Sequence, residues 1–489
     1  MNTRAAGGKP ASAGTLSGGP LSAGTVSAGT LALFAIAGLP VGGYVTTLAV
    51  YLPNYYTRHL GVSLFAVGLA FFLVRVLDIV FDPILGVIMD SARPRYGRFR
   101  PWLAASIPIL MVSTWAAYFA PSGVGLVYIT FVLLVLYAGY SMCVLAHAAW
   151  GTALVAEYHG RSRVYGWIQA MGVIGAIGIL LAPIFVPRLL HMKMEPVPIQ
   201  GWFLLIAVPI TFAITSIFGP EPHQVTAAHK MAPMREYLAL VRRPDMIRNL
   251  AATLLTTFGP AITAPLYLFF FEDARGYSPD QANILLLIYV VAGLVGPYFW
   301  LWVARSFGKH HTIKIAAGAY AVAQTTLLLL PKAHAVEMSV AMFSVGFVAS
   351  AFAFLLRAMV ADICDETRLE TGKDQTALLN ALATSVAKFA STVSVFVGYA
   401  VLTVFGFKAA EGAANTELAM WGLQACYLVP PVACVIIGGF CMVGYKLDEK
   451  RHGEIREQLH LREQQGSLAA GVESLGGALE PAAQLDPVE

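Results

Sequence analysis

Long apolar runs alternate with short polar turns along most of this chain. Twelve stretches stand out, at 31–55, 63–89, 102–120, 124–153, 164–187, 200–218, 247–271, 281–304, 312–331, 335–361, 377–405 and 418–445. Crossing a bilayer as a helix takes roughly 20 apolar residues. Each stretch is near or above that length, and the longer ones predict tilt or extension beyond the bilayer. The pattern predicts an all-α membrane protein with twelve transmembrane helices.

The turns between these runs predict an orientation. One set carries Arg93, Arg95, Arg98 and Arg100; Arg161 and Arg163; Lys230, Arg235, Arg242 and Arg243; then Arg305, Lys309 and Lys314. The alternate set carries only Arg58, Arg188, Lys193, Arg275, Lys332 and Lys408. Basic turns stay on the cytoplasmic side, so both termini are expected there, in a multi-pass protein of an inner (plasma) membrane. The longest internal turn, 220–245, separates a first half at 31–219 from a second at 246–446. Corresponding turns of the halves read RPRYGRFRPW and RSFGKHHTIK. Two related six-helix halves form a transporter architecture, with the solute site between them near the bilayer midplane.

Composition sharpens this picture. Apolar residues make up 57% of the chain and charged residues 12%, against a usual charged share of about 25%. That deficit excludes an ordinary soluble protein. Residues 1–30, rich in Gly, Ala, Ser and Thr, lack the pattern of a signal peptide and are expected to be a disordered leader. Residues 447–489 form a polar tail, helix-prone at 448–465 and disordered beyond. The five cysteines fall in or beside apolar spans without a CxxC pair, as small packing residues do.

Against this apolar background one stripe of charge is conspicuous. Arg75, Asp78 and Asp82 follow at helical spacing inside FLVRVLDIVFDPILGVIM and share one face. A carboxylate at the bilayer centre costs at least about 2.5 kcal/mol. Two together cost more unless a cation, a proton or a basic side chain joins them. Lys388, deep in the eleventh span, offers Asp78 a partner. The stripe is read as an ion- or proton-coupling site; the alternative is a structural ion pair, with Lys388 snorkelling to the interface.

The segment YYTRHLGVS…RVLDIVFDPILGVIMDSARPRYGRFRPW resembles the glycoside–pentoside–hexuronide cation symporters, the melibiose permease family of the major facilitator superfamily. So do HAAWGTALVAEYHGRSRVYGW, MVADICDETRLETGKDQTALLNA and SVAKFASTVSVFVGYAVL. The resemblance implies secondary active transport by alternating access, with H⁺, Na⁺ or Li⁺ entering with the solute. It places Asp78 and Asp82 at the cation site, Arg75 beside them and Lys388 as their partner. The family's sugar-binding acids on the first and fourth helices fall near Gly42 and Ala146. Its sodium-binding threonine falls near Cys143, and its sugar-binding arginine near Ile168. The cation machinery is kept and the charged sugar clamp is missing, which favours H⁺ over Na⁺ and a solute more apolar than a bare sugar.

Solute-binding candidates follow on the same helices: Tyr44, Thr47 and Tyr51 on the first, Tyr140, His147 and Trp150 on the fourth, Trp167 and Gln169 on the fifth. Asp90, Arg93, Arg98, Arg100, Arg161, Arg163, Asp362 and Asp365 are candidate gating charges, with topology signalling and solvated helix ends as the plainer reading. No phosphate loop, metal-ligand cluster or hydrolase motif occurs, so no enzyme and no cofactor beyond the coupling ion is expected. The expected partners are a small-molecule solute and the bilayer, with no nucleic acid, for a monomer. The alternatives are a carrier of lipid- or steroid-like amphiphiles and a transport-inactive membrane sensor or assembly partner.

Overall fold

The computed structural model of the chain describes residues 27–92, 97–154, 158–191, 195–220, 240–332, 334–372 and 375–477. The expectations for the leader, for most of the 220–245 linker and for the last twelve residues lie outside them, as do the side chains of Asp90, Arg93 and Arg161.

The described residues form helices and no strand. In the first half α1 (Ala28–Ala35) and α2 (Gly38–Thr46) run through a π turn, Thr47–Tyr51, into α3 (Leu52–Arg58). Then come α4 (Leu64–Ser91), α5 (Arg100–Tyr118), α6 (Leu126–Leu154), α7 (Tyr158–Leu190) and α8 (Pro196–Phe218). The second half holds α9 (Pro244–Leu268) with its own π turn at Phe269–Ala274, α10 (Pro279–Phe307), α11 (Lys309–Leu329), α12 (Ala335–Thr371), α13 (Thr376–Val404) and α14 (Glu417–Phe440). A tail helix, α15 (Glu449–Gly477), follows. Among the described residues ten helices are long and apolar enough to span a membrane, and eleven if the pair bent by 42° between α1 and α2 is one span. The 19-residue α5 occupies the place of the expected third span and is shorter and more polar, with Ser106, Ser113 and Thr114 buried inside it.

Large apolar side chains cover the outside: Val127 is 83% exposed, Val404 84% and Leu329 78%. In water such a surface would be an aggregation hazard; facing lipid it is the natural exterior of a bundle whose backbone polar groups are satisfied within each helix. Inside, small residues bring helices together. A methyl group at Gly42 would overlap the Gly172 carbonyl, and one at Gly175 would overlap that of Leu39, so α2 and α7 cross backbone to backbone.

Two crossings join the halves in mirrored fashion. The second span of the first half, α4, packs on the fifth of the second, α13, and the fifth of the first, α7, packs on the second of the second, α10. Both π turns also lie at this interface, at corresponding places in the first helix of each half. π turns concentrate at functional positions.

Candidate functional site

α4 brings Arg75, Asp78 and Asp82 to one face, turned toward α6 and α13. Asp78 is buried, accepts a hydrogen bond from Ser141 Oγ at 2.6 Å and lies 3.5 Å from Arg75 Nη1. Lys388 Nζ lies 3.9 Å from Asp78 and bonds Asp82 directly. The expected Lys388–Asp78 ion pair is present, but the closer partner of Lys388 is Asp82, while Ser141 and Arg75 also engage Asp78. Lys388 does not turn away to the interface. Asp82 Oδ1 is buried with no hydrogen-bond partner among the described residues. Unit charges at about 4 Å interact by about 4 kcal/mol at an effective dielectric near 20, and desolvation offsets much of that. The lysine thus stands between two carboxylates, with a small net difference separating one pairing from the other.

Above this network lies a cavity of about 300 Å³ between the halves. The first half contributes Leu48, Phe71, Arg75, Tyr137 and Tyr140, and the second Ser391, Thr392 and Ser394, with small apolar residues from α2, the first π turn, α9 and α13 filling the wall. The Arg75 guanidinium stacks over Tyr137, 5.0 Å from its ring centroid. The hydroxyls on α13 donate to their own helix, Ser391 and Thr392 to the Lys388 carbonyl and Ser394 to that of Ser391. Among the described residues no group donates to their oxygens.

The expected solute residues divide. Tyr140 lines this cavity. Tyr51 lines a smaller one toward the face opposite the termini, where its hydroxyl donates to Asn283 Oδ1 at 2.5 Å. Tyr44 and Thr47 bond Thr114 and Tyr118, both at 2.5 Å, within the wall of the first half. His147 lies against Phe34 with Nε2 3.0 Å from its carbonyl oxygen, and Trp150 donates to the Pro220 carbonyl at 2.9 Å. Both are buried packing residues here. Trp167 is half-buried and Gln169 exposed, and neither lines the two cavities just described. Sequence reasoning missed Tyr137, Ser391, Thr392 and Ser394. A signal existed: Tyr137 precedes Tyr140 by one turn, and the α13 hydroxyls begin one turn after Lys388.

The profile of the MFS/sugar transport protein family matches residues 33–449. The chain belongs to that family. It is 24% identical over 454 residues to the lactose permease of Lactobacillus delbrueckii subsp. bulgaricus, covering 85% of this chain and 70% of the relative. It is 23% identical over 420 residues to the inner membrane symporter YicJ of Escherichia coli, covering 84% and 90%. Among solved structures, the nucleoside transporter NupG (D323A mutant) superposes with a TM-score of 0.65 at 13% identity, covering 85% of this chain and 98% of that one, which establishes the shared fold. As a family member the chain is a multi-span membrane transporter of solutes and not an enzyme.

In this transporter the two faces are built differently. On the face opposite the termini, Arg58 bonds Glu272 and both carboxylate oxygens of Asp273, at 2.5 and 2.6 Å, and Arg188 bonds Asp280 at 2.8 Å. Both links cross between the halves. On the terminal face, Lys309 bonds Asp362 at 2.6 Å, and His452 of α15 lies 3.0 Å from Asp365 and 3.5 Å from Asp362. These partners of Asp362 and Asp365 belong to the second half and the tail. Arg243 bonds Glu366 at 3.0 Å and Glu370 at 2.7 Å. Its burial works against the charge, yet these two glutamates outweigh that and raise its pKa. Arg100 donates to the Gly219 carbonyl at 2.7 Å, and Arg98 lies over the ring of Phe99.

Proposed function

We propose that this chain is a cation-coupled symporter that works by alternating access and carries a small, sugar-sized organic solute. The observation that carries the reading is Lys388, which reaches from α13 in one half to Asp82 and Asp78 in the other, beside a carboxylate oxygen with no partner. A cation or proton arriving at the acids competes with the lysine, and releasing the lysine loosens the α4–α13 crossing. Ion occupancy and the relation of the halves are then one equilibrium. The relatives, a permease and a symporter, support the same reading.

The proton is the favoured ion. Hard cations take several oxygen ligands, and the surroundings supply few. Cys143 turns its thiol to the Tyr140 carbonyl, Ala146 has no oxygen, and Ser141 already donates to Asp78. The Arg58 clamp with Glu272 and Asp273 acts as the gate on one side. Asp362 and Asp365, with Lys309 and His452, stand near the other. The basic turns support termini on the cytoplasmic side.

Proteoliposomes loaded with labelled neutral and acidic sugars test the reading. Accumulation driven by an imposed proton gradient and abolished by a protonophore is expected. Accumulation driven by a sodium gradient alone overturns the proton assignment, and facilitated equilibration without accumulation under either gradient overturns coupling.

A further inference from the structure

We infer that the solute carries a single negative charge, gripped by Arg75, and that it travels with one proton in an electroneutral step. The inference rests on the coupled-transport reading above and adds the chemical class of the cargo.

The charge on the cavity wall is the first observation. Among the described lining residues Arg75 is the only one with an ionised side chain. Both aspartates stand behind it, Asp78 held by Ser141 and Asp82 by Lys388. The cavity therefore offers a solute one cation and no anion.

The second observation is that Arg75 is under-used. A guanidinium has five N–H donors. Among the described residues its one side-chain hydrogen bond runs to Asp78 at 3.5 Å, long for a charge-assisted bond, which is usually about 2.7–2.9 Å. The rest of its contact is the face of Tyr137, which supports a cation without consuming its donors. The planar fork is left directed to a group with two coplanar acceptors, a carboxylate or a sulfonate.

Counting charge gives the stoichiometry. Asp78 and Asp82 balance Arg75 and Lys388, so the ionised network is neutral. The other expected positions add nothing: Gly42 has no room for a side chain against Gly172, and Ala146 and Ile168 are apolar. A proton on the acids leaves the site with one net positive charge. In a low-dielectric cavity that excess is costly. A neutral solute does not relieve it; a monoanion restores neutrality, so loaded and empty carriers can both reorient. The lone pairs of Ser391, Thr392 and Ser394 suit hydroxyls on the body of such a solute, and the apolar wall suits its carbon skeleton.

The test uses matched probes on the full chain in nanodiscs: glucuronate against glucose, benzoate against benzyl alcohol, methanesulfonate against dimethyl sulfone. Thermal unfolding is followed for wild type, Arg75→Gln and Arg75→Lys. At least one anion is expected to raise the melting temperature where its neutral twin does not. Arg75→Gln should lose that shift and Arg75→Lys keep part of it, which separates a lost grip from a misfolded variant. Equal shifts for both members of every pair, no shift from any anion, or an unchanged shift in Arg75→Gln overturns the inference.

Transport of the binding anion is then measured in proteoliposomes with the potential set by valinomycin and potassium. Proton-driven uptake that ignores the potential is expected, and uptake that follows the potential overturns electroneutrality. A neutral twin that is accumulated leaves symport standing and removes the anion. An anion that binds but is never accumulated keeps the site and removes symport.

Discussion

Lys388 is the residue on which the coupling argument turns. Lys388→Ala leaves Asp82 without its ion-pair partner, and breaking a buried pair costs about 3–5 kcal/mol when the other charge stays. The acids escape that cost by taking up protons, so the switch is lost while the cavity survives. Solute exchange should persist and proton-driven accumulation fail, with both measured in the same vesicles. Normal accumulation in that variant makes the lysine a bystander. Asp78→Asn keeps the shape and the Ser141 contact but removes a coupling charge. Concentrative uptake should vanish while folded yield, read by size-exclusion profile, stays near wild type. The spacing of Arg75, Asp78 and Asp82 made this stripe readable from the chain. Which carboxylate holds the lysine was not readable, because Ser141 and Lys388 arrive from α6 and α13, 63 and 306 residues away in sequence from Asp78 and Asp82 respectively.

At the scale of the helix pair, the α2–α7 crossing depends on Gly42 and Gly175. No side chain fits at either without moving a carbonyl. Inserting bulk into a packed contact costs typically about 1–3 kcal/mol. Gly42→Leu is expected to lower the detergent melting temperature by several degrees, and an unchanged melting curve contradicts the close crossing. The same contact explains why an acid is missing there: the helix face meets backbone and not the cavity. α6 teaches a related lesson. Tyr137, Tyr140 and Ser141 face the transport path, whereas His147 and Trp150, two turns on, meet Phe34 and Pro220. One helix carries both environments, and only its neighbours divide them.

Across the whole molecule, the halves meet through ion pairs at the bilayer centre and on the face opposite the termini. Arg58 bridges α3 to the π turn after α9, in a partly buried clamp that also encloses the Tyr51–Asn283 contact. Arg58→Ala should loosen that closed face. With Asn54→Cys as a reporter, since Asn54 is 3% exposed, the rate of labelling by a membrane-impermeant maleimide should rise about tenfold if the clamp contributes about 1.4 kcal/mol. An unchanged rate removes Arg58 from the gate.

What the chain determined by itself is the class of molecule. Apolar runs of spanning length, basic turns on alternate sides and charges at helical spacing are local properties, and a bilayer leaves helices as the only way for these runs to satisfy their backbone. α5, in the place of the third expected span, is 19 residues long and is kept out of the candidate spans by its hydropathy. Tertiary structure alone decided the rest: the mirrored α4–α13 and α7–α10 crossings, the pairing of Lys388 with Asp82, the exclusion of a side chain at Gly42, and the cavity that Arg75 shares with hydroxyls from the other half. These depend on which helix faces meet. In a membrane, where many faces are equally apolar, small residues and buried charges choose among them, and those choices join residues hundreds of positions apart.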